Sequence, residues 1–353
     1  PDEMFSDTRS ANFAIDKLGK DWDKPFFLAV GFHRPHQPLY NPKRFHDLYP
    51  PESVVLPPTI ENDLADLPRA GQEYALAPNT SGLHRSVAEY GEWQNAVSSY
   101  LASISFVDEL VGNIMAALED SPYAENTLVV LWSDHGWHLG EKEHWGKATG
   151  WYRSTRIPMI IVPPGKGRPD GFAAGAESTR PVNLLDLAPT LAGMTGIPAL
   201  ETWEGRNLGK LVADPDADWQ NFTHTTFGLG NHTVSTERWQ YIHYFDDNEE
   251  LYDLQNDPEE FVNLADHPDH ASVVERLRGY LPEEPQWKTF VRYHNFKAVV
   301  PADGSAMMLF DNAYRNDVNE QNNIADDYPE VVQKIKQWLA ETDPDKKFLV
   351  MAD

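Results

Sequence analysis

Three short polar motifs contain the side chains with the greatest capacity for chemistry. Ser133-Asp134-His135-Gly136 sets a carboxylate beside an imidazole, and both groups bind divalent cations. His33-Arg34-Pro35-His36 supplies imidazoles, which exchange protons near neutral pH. His144-Trp145-Gly146-Lys147 ends in an ammonium group, a compact charge suited to an anionic oxygen. A divalent cation, an acid and a lysine together suit a tetrahedral anion such as sulfate or phosphate.

Taken alone, each motif also has a simpler explanation. Asp134 could cap the next element while His135 packs, and two ligands do not make a coordination sphere. His33 and His36 could be surface histidines in a proline-rich loop. Lys147 could be solvated, as most lysines are. The functional interpretation therefore depends on where the fold places the motifs.

Two of the motifs directly follow apolar runs that predict buried strands. Phe26–Phe32 precedes the first histidine motif, and Leu128–Trp132 precedes Ser133. Such continuous runs are typical of strands in a parallel sheet. Sites in open α/β sheets form beyond the carboxyl ends of the strands, which is where both motifs lie. A third strand is predicted at 158–162, and helices are predicted at 10–18, 93–118 and 182–194.

The pattern changes in the C-terminal part. Thr223–Leu254 alternates between apolar and polar residues and contains turn signals, which predicts antiparallel hairpins followed by a helix at about 269–281. The sequence therefore predicts an α/β fold with a mostly parallel sheet flanked by helices, over residues 1–212. A smaller α+β subdomain with an antiparallel sheet is predicted over 213–353. Residues 50–82 and 139–156 are predicted to be loops.

A short repeat lies within the C-terminal part. The segment Glu250–Leu254, followed by Asn263-Leu264-Ala265-Asp266 and a predicted helix, resembles Met308–Asp311, followed by Asn323-Ile324-Ala325-Asp326 and another predicted helix. Two copies are too few for a solenoid. We expect a repeated strand–turn–helix packing unit that carries no chemistry.

Composition excludes several classes of function. The 353 residues include 29 basic and 55 acidic side chains, a formal net charge of −26, which argues against a nucleic-acid partner. No stretch in the sequence approaches the roughly 20 apolar residues that a membrane span needs, so no span is expected. The absence of cysteine excludes disulfides, thiolate metal sites and a cysteine nucleophile.

The order and spacing of three segments resemble the type I sulfatases of the alkaline phosphatase superfamily, and among them the iduronate-2-sulfatase-like enzymes. The segments are Pro25–His36, Ser133–Glu141 and Glu250–Leu254, and the resemblance covers residues 10 to about 280. It implies an alkaline-phosphatase-like fold and a sulfuric ester hydrolase that acts on a sulfated carbohydrate. It also implies export to the periplasm or the cell exterior.

The resemblance implies a catalytic role for two residues and a metal-binding role for two others. His36 matches the proton donor to the leaving alcohol, and Lys147 matches the lysine that binds the sulfate oxygens. Asp134 and His135 match two ligands of the active-site Ca²⁺, with histidine at the second position as in iduronate-2-sulfatase.

Three further residues are predicted to bind substrate. His33 lies in the same loop as His36 and either shapes that loop or touches substrate. Trp137 follows the Asp-His pair and either forms a pocket wall or packs in the core. His232 lies where such enzymes bring a hairpin towards the pocket.

The sequence departs from the family pattern at the nucleophile. These sulfatases use a formylglycine made from the first residue of a Cys/Ser-x-Pro/Ala-x-Arg motif, and neither a cysteine nor such a serine motif occurs in this chain. The aspartate pair that supplies the remaining Ca²⁺ ligands is also missing. Both features precede the first motif in the family, so the sequence is expected to be the C-terminal part of a sulfatase. Its implied partner is its own N-terminal part, which would supply the formylglycine.

Two other functions remain open from the sequence. The same superfamily includes phosphodiesterases and phosphonate hydrolases. The identity of the upstream nucleophile and a requirement for a transition metal would distinguish these enzymes from sulfatases. A non-catalytic sulfatase-like binding protein is the alternative from a different class, and absence of the nucleophile from the whole gene would favour it.

Overall fold

The computed structural model describes residues 2–77, 82–166, 168–219, 222–228, 230–282, 287–294, 296–301, 305–311, 323–341 and 348–351. The chain divides into two compact units. The first comprises Pro1–Glu61, Ser81–Lys147 and Arg156–Trp219, and the second comprises Asn62–Thr80, Ala148–Thr155 and Gln220–Asp353. The sequence predicts one division after residue 212, whereas the second unit also takes in 62–80 and 148–155.

The secondary structure combines helices with short strands. The helices are α1 (Ser6–Leu18), α2 (Lys43–His46), α3 (Arg69–Ala75), α4 (His84–Glu89), α5 (Trp93–Glu119), α6 (Tyr152–Thr155), α7 (Leu187–Thr195), α8 (Gly209–Ala213), α9 (Ala271–Arg278) and α10 (Pro329–Ala340). The strands are β1 (Val129–Trp132), β2 (His138–Leu139), β3 (Trp145–Gly146), β4 (Met159–Val162), β5 (Thr223–Thr226), β6 (His232–Ser235), β7 (Trp239–His243), β8 (Glu249–Asp253), β9 (Trp287–Tyr293), β10 (Phe296–Pro301), β11 (Met308–Asp311) and β12 (Phe348–Met351).

Helices α1 and α5 form the core of the first unit, and both are confirmed predictions. Ala11 of α1 packs with Ala102, Phe106 and Leu110 of α5, and Phe45 of α2 completes the cluster. The α5 residues recur at intervals of four, which places them on one face of the helix. The small Ala11 and Ala102 side chains, both almost fully buried, let the two helices approach closely.

Helix α5 also has the length and apolar composition of a membrane-crossing helix. Its most apolar 18-residue window has a mean hydropathy of 1.5, and 28% of that window is buried. This corrects the expectation that no stretch reaches the necessary length. One such helix is weak evidence for a span, because core helices pass the same test. Glu109, near the middle of α5, accepts hydrogen bonds from Arg44 at 2.5 and 2.7 Å, as fits a helix that packs within the unit.

The strands of the first unit differ in pairing from the prediction. Strands β1 and β4 are confirmed, but they pair with each other in antiparallel register, with Val129 opposite Val162. Residues 26–32, predicted to be a buried parallel strand, belong to no strand in the described part of the chain. Phe27 is 82% exposed there. An apolar run favours burial, but a strand also needs a neighbour with free backbone donors and acceptors.

The first sheet of the second unit confirms the predicted hairpins. Strands β5, β6, β7 and β8 are antiparallel and adjacent in sequence order. Val234, Tyr241 and Leu251 point from one face and pack against Val274 and Leu277 of α9. A second sheet has the order β11-β10-β9-β12, and β9–β12 is the one parallel pair among the residues that the structure describes.

The sequence repeat corresponds to a repeated hydrogen-bond pattern. The amide of Leu251 donates to Asn263 Oδ1 at 3.0 Å, and the amide of Leu309 donates to Asn323 Oδ1 at 2.9 Å. In both copies the residue after the asparagine donates its amide back to the strand at 2.8 Å. The asparagine therefore locks the returning chain onto the strand, as expected of a packing unit. Residues 312–322 of the second copy lie outside the described residues.

A buried carboxylate joins three segments of the second unit. Glu250 of β8 is 0% exposed and accepts hydrogen bonds from Trp151 Nε1, Tyr244 Oη and Tyr252 Oη, each at 2.7 Å. Gly71 of α3 passes so close that a Cβ there would lie 2.2 Å from Glu250 Oε1. Burial, and then the charge of Glu250, raise the pKa of both tyrosines, so they remain donors. This network attaches α3 and the segment after Lys147 to the sheet.

Replacing this carboxylate should strongly destabilise the second unit. Glu250→Leu leaves three buried donors without an acceptor, and each such donor costs about 1–3 kcal/mol, so we expect a loss of at least ~3 kcal/mol in the free energy of unfolding. Urea titration followed by tryptophan fluorescence measures it. Glu275→Leu, at an exposed position of α9, is the matched control and should change stability by no more than about 0.5 kcal/mol. Equal effects of the two substitutions would contradict the network's role.

Candidate active site

Strand β1 delivers Asp134 and His135 to its carboxyl end, where His135 contacts Lys147. The Asp134 side chain is 82% exposed. His135 Nδ1 lies 2.8 Å from the carbonyl oxygen of Gly136, and its Nε2 lies 2.7 Å from Lys147 Nζ. A carbonyl can only accept, so Nδ1 carries the proton and Nε2 accepts from the lysine. The geometry thus selects one neutral tautomer of His135.

A buried aspartate on α1 shapes the loop that carries His33 and His36. Asp7 is 2% exposed, and its carboxylate accepts hydrogen bonds from the amides of His33 at 2.8 Å and Arg34 at 3.2 Å. The amide of His36 then donates to the carbonyl of His33 at 2.9 Å, which closes a turn. His36 Nδ1 donates to the carbonyl of Gln37 at 2.7 Å, so the orientation of the imidazole is fixed.

The side chain of Trp137 lies near both His36 and His135. Its ring is 6.2 Å from that of His36 and 6.3 Å from that of His135, measured between centroids. Tyr100 of α5 stacks on it at 6.3 Å. Burial, and then the charge of Glu141, raise the pKa of Tyr100 to about 12, so the phenol stays neutral. The structure therefore brings together six of the seven predicted site residues: His33, His36, Asp134, His135, Trp137 and Lys147.

The seventh predicted residue, His232, lies in the second unit and is buried. Its exposure is 3%, and its Nδ1 lies 2.9 Å from His224 Nε2 and 3.2 Å from Thr226 Oγ1. Burial, and then the neighbouring His232, lower the pKa of His224 to about 4, so this ring is neutral near pH 7. These contacts hold His232 within the sheet, and its contact with substrate stays a prediction.

Asp134 and His135 have the chemistry and placement of two ligands for one cation. Asp134 Oδ2 and His135 Nε2 are 3.5 Å apart, close enough to share an ion, and the carboxylate faces outward from the strand end. Ca²⁺ needs six to eight ligands, mostly oxygens. Within the described ranges, no group of three or more histidine, aspartate or glutamate side chains is arranged to hold a metal. Two such side chains would be only part of the coordination sphere that Ca²⁺ needs, and their role as metal ligands stays a prediction.

Sequence models place the chain in a known family. A model described as Sulfatase matches residues 2–197, and one described as N-sulphoglucosamine sulphohydrolase, C-terminal, matches residues 140–287. With more than half of its length matched by the first, the chain belongs to the sulfatase family. The resemblance to sulfatases that was inferred from the segments Pro25–His36, Ser133–Glu141 and Glu250–Leu254 is confirmed.

Curated relatives agree with this assignment. A sulfatase of Formosa agariphila is 36% identical over 285 residues, which cover 80% of this chain and 54% of that protein. Mouse iduronate 2-sulfatase is 34% identical over 230 residues, which cover 56% of this chain and 41% of that protein. The chain therefore spans about half the length of the curated relatives it matches.

Solved structures confirm the alkaline-phosphatase-like fold class. A protein solved in complex with its substrate D-glucosamine-2-N,6-O-disulfate aligns with a TM-score of 0.63 at 20% identity, over 78% of this chain and 68% of that chain. The phosphonate monoester hydrolase of Agrobacterium radiobacter aligns with a TM-score of 0.65 at 24% identity, over 76% and 59%. At these identities the likeness concerns the fold.

Two residues of the site were missed by the sequence analysis. Asp7 was missed because an aspartate in the first turn of a helix is ordinarily a surface residue that interacts favourably with the helix dipole. Tyr100 lies in an apolar helical pattern that predicts core packing. A signal for Asp7 was available, since its neighbours on α1 place it on the same face as the buried Ala11 and Ala14.

Removing either predicted cation ligand should reduce calcium content. In the complete protein, Asp134→Ala and His135→Ala should each lower the Ca²⁺ retained after dialysis, measured by elemental analysis. Asp134→Ala should lower it more, because Ca²⁺ prefers carboxylate oxygen to imidazole nitrogen. Asp120→Ala, at an exposed position after α5, is the control and should retain all of its calcium. Full calcium content in either variant would exclude that residue as a ligand.

Proposed function

We propose that the chain is the C-terminal part of a sulfuric ester hydrolase acting on a sulfated carbohydrate. The observation that carries the proposal is the cluster of His36, Trp137, His135 and Lys147 at the end of β1. It combines a proton donor, a cation-ligand pair and an ammonium group, in a chain that belongs to the sulfatase family.

In this proposal His36 is the general acid. Its Nδ1 is committed to the carbonyl of Gln37, so the proton for the departing alcohol comes from Nε2 of the imidazolium. The turn held by Asp7 fixes the direction of that nitrogen before substrate arrives. Such prior orientation avoids ordering the acid during the reaction.

Lys147 is proposed to bind the sulfate oxygens. Its ammonium lies 2.7 Å from His135 Nε2, so it is positioned beside the cation ligands. Ca²⁺, when held by Asp134, His135 and ligands from elsewhere, would add positive charge next to the same oxygens. Fixed positive charge in a site that excludes water stabilises negative charge that develops in the transition state.

A sulfated sugar is the proposed class of substrate. The fold neighbour bound to D-glucosamine-2-N,6-O-disulfate and the iduronate 2-sulfatase relatives support this class. Trp137 offers an aromatic face beside His36, and aromatic faces stack on sugar rings. His33, exposed on the loop that carries His36, is proposed as a further substrate contact. His232 is also proposed to bind substrate.

The proposed partner of the chain is the N-terminal part of the same protein. No cysteine and no serine motif in this sequence can supply formylglycine, so in this proposal the nucleophile comes from that other part of the protein. Phe27, Trp132 and Ile160 are 82%, 47% and 53% exposed along the extended segment and strands β1 and β4. Apolar surface of this kind suits added strands. We also infer export to the periplasm or the cell exterior, on the basis of family membership alone.

Phosphonate or phosphate diester hydrolysis is the second candidate. The fold similarity to a phosphonate monoester hydrolase and a 26% identical multifunctional alkaline phosphatase superfamily protein of Trinickia caryophylli support it. The higher identity to sulfatases favours sulfate. Comparing nitrophenyl sulfate with nitrophenyl phenylphosphonate as substrates of the complete protein distinguishes the two.

The isolated chain should not hydrolyse aryl sulfates, because it contains no precursor of the nucleophile. Nitrophenyl sulfate turnover measures this, and the control is the same chain supplied with a segment that carries the formylglycine motif. Robust turnover by the chain alone would contradict its proposed role as one part of the catalytic domain. Failure of the reconstituted protein on every sulfate ester would favour the non-catalytic alternative.

His36 and Lys147 should be separable by the choice of substrate. Sugar alcohols are much poorer leaving groups than nitrophenolate, so they depend more on a proton donor. His36→Ala should lower kcat/KM for a sulfated sugar towards the upper end of the usual ~10²–10⁴-fold range and should lower it far less for nitrophenyl sulfate. Lys147→Ala should slow both substrates by similar factors, since both share the sulfate oxygens. Equal losses on both substrates for His36→Ala would contradict the general-acid role.

A further inference from the structure

The segment that leads to Lys147 has an unusual backbone. Strands β2 and β3 form a short antiparallel pair, and the turn between them includes Gly140 at φ 131°, Lys142 at φ 54° and Glu143 at φ 48°. Left-handed backbone is disfavoured for residues that have a Cβ, and it persists where surrounding contacts hold it. Such conformations cluster at functional sites. The contacts that hold residues 138–147 therefore bear on the position of Lys147.

Within this segment, His144 contacts the backbone of Lys147. Its side chain is 1% exposed, and its Nε2 lies 3.1 Å from the carbonyl oxygen of Lys147. Because that carbonyl only accepts, Nε2 of His144 donates the hydrogen bond. The ring of His138, which is 0% exposed, meets that of His144 at a right angle with 5.1 Å between centroids. The imidazole of His144 thus packs against the ring of His138 and donates a hydrogen bond to the backbone of Lys147.

Helices α4 and α5 support the other end of the segment. Trp93 Nε1 donates to the carbonyl of Leu139 at 2.7 Å, and the Glu141 carboxylate accepts from the amide of Leu139 at 2.7 Å. A Cβ on Gly140 would lie 2.5 Å from Trp93 and 2.8 Å from His84. The start of the segment is therefore packed tightly. At its other end, the hydrogen bond from His144 connects the segment to the backbone of Lys147.

We propose that His144 is a positioning residue that holds the backbone of Lys147, so that its ammonium reaches the end of β1. The proposal rests on the proposed function in one respect, namely that Lys147 binds the sulfate oxygens. It goes beyond that function in assigning a role to a buried histidine. The 2.7 Å approach of Lys147 Nζ to His135 Nε2 is the geometry that His144 maintains.

Substitutions that keep or remove the donor test this role. Gln at position 144 can place an amide N–H near the position of the imidazole Nε2, whereas Leu removes the donor and Asn is too short to reach the carbonyl. His267→Leu is the matched control, because that imidazole is 53% exposed. Two quantities are measured on the chain: hydrogen exchange of the amides in 138–147 by mass spectrometry, and binding of inorganic sulfate followed by NMR of labelled lysine side chains.

The donor-free variants should loosen the segment while the donor-retaining variant should not. We expect His144→Leu and His144→Asn to speed exchange in 138–147 and weaken sulfate binding by roughly fivefold to tenfold, as loss of one buried hydrogen bond allows. His144→Gln and His267→Leu should stay within about twofold of the unmodified chain. If His144→Leu does not fold, the test rests on comparing His144→Asn with His144→Gln.

The positioning role would be overturned if hydrogen exchange in 138–147 were unchanged in His144→Leu and His144→Asn. It would also be overturned if exchange rose equally in His144→Gln and His144→Asn. A distinct result would count against the proposed function instead. If exchange in 138–147 rises in the donor-free variants while sulfate affinity stays constant, His144 positions Lys147 but Lys147 does not bind sulfate.

Discussion

The hydrogen bond between Lys147 Nζ and His135 Nε2, 2.7 Å long, is the contact on which the proposed site depends. It joins two pieces of chain that the fold brings together from different directions, the end of β1 and the end of the β2–β3 segment. It also determines protonation, because Lys147 donates to Nε2 while the carbonyl of Gly136 accepts from Nδ1. His135 is thereby held as the tautomer that carries its proton on Nδ1, and a cation at Nε2 would take the place of the hydrogen bond from Lys147.

Buried polar groups outside the site hold each of its parts. Asp7 orders the loop that carries His36, and His144 holds the backbone of Lys147. Tyr100 stacks on Trp137, whose ring lies near both His36 and His135. These supports come from helices and from a strained turn, so their geometry is set by the fold. Proximity of an acid, a cation site and an ammonium group in fixed orientation is the arrangement that ester hydrolysis of a tetrahedral anion requires.

Sequence patterns predicted the elements whose signals are local. The apolar periodicity of α1 and α5, the runs at β1 and β4 and the alternation of β5–β8 all correspond to observed elements. The Asp134-His135 pair was recognisable because it follows strand β1 directly. Helix α3 was predicted to be loop, because it lies in a segment rich in proline, asparagine and aspartate. Its Ala70 and Ala75 are instead buried against Trp151 and Tyr252, and that tertiary contact overrides the local signal. The supports at Asp7 and Tyr100 depend on residues distant in sequence, and no local pattern reports them. The run at 26–32 was correctly read as apolar, but strand formation needs neighbours that sequence alone does not place.

The central claim is that His135 and Lys147 form one site through their hydrogen bond. The tautomer of His135 tests this claim most directly. In the chain with ¹⁵N-labelled histidine, long-range ¹H–¹⁵N correlation near pH 7.5 distinguishes a protonated from an unprotonated ring nitrogen. The account predicts a proton on Nδ1 and none on Nε2. It also predicts that Lys147→Met shifts the ¹⁵N signal of Nε2. Lys166→Met, at an exposed position, is the control and should leave that signal unchanged. A proton on Nε2, or an Nε2 signal indifferent to Lys147, would show that the two residues do not form one site.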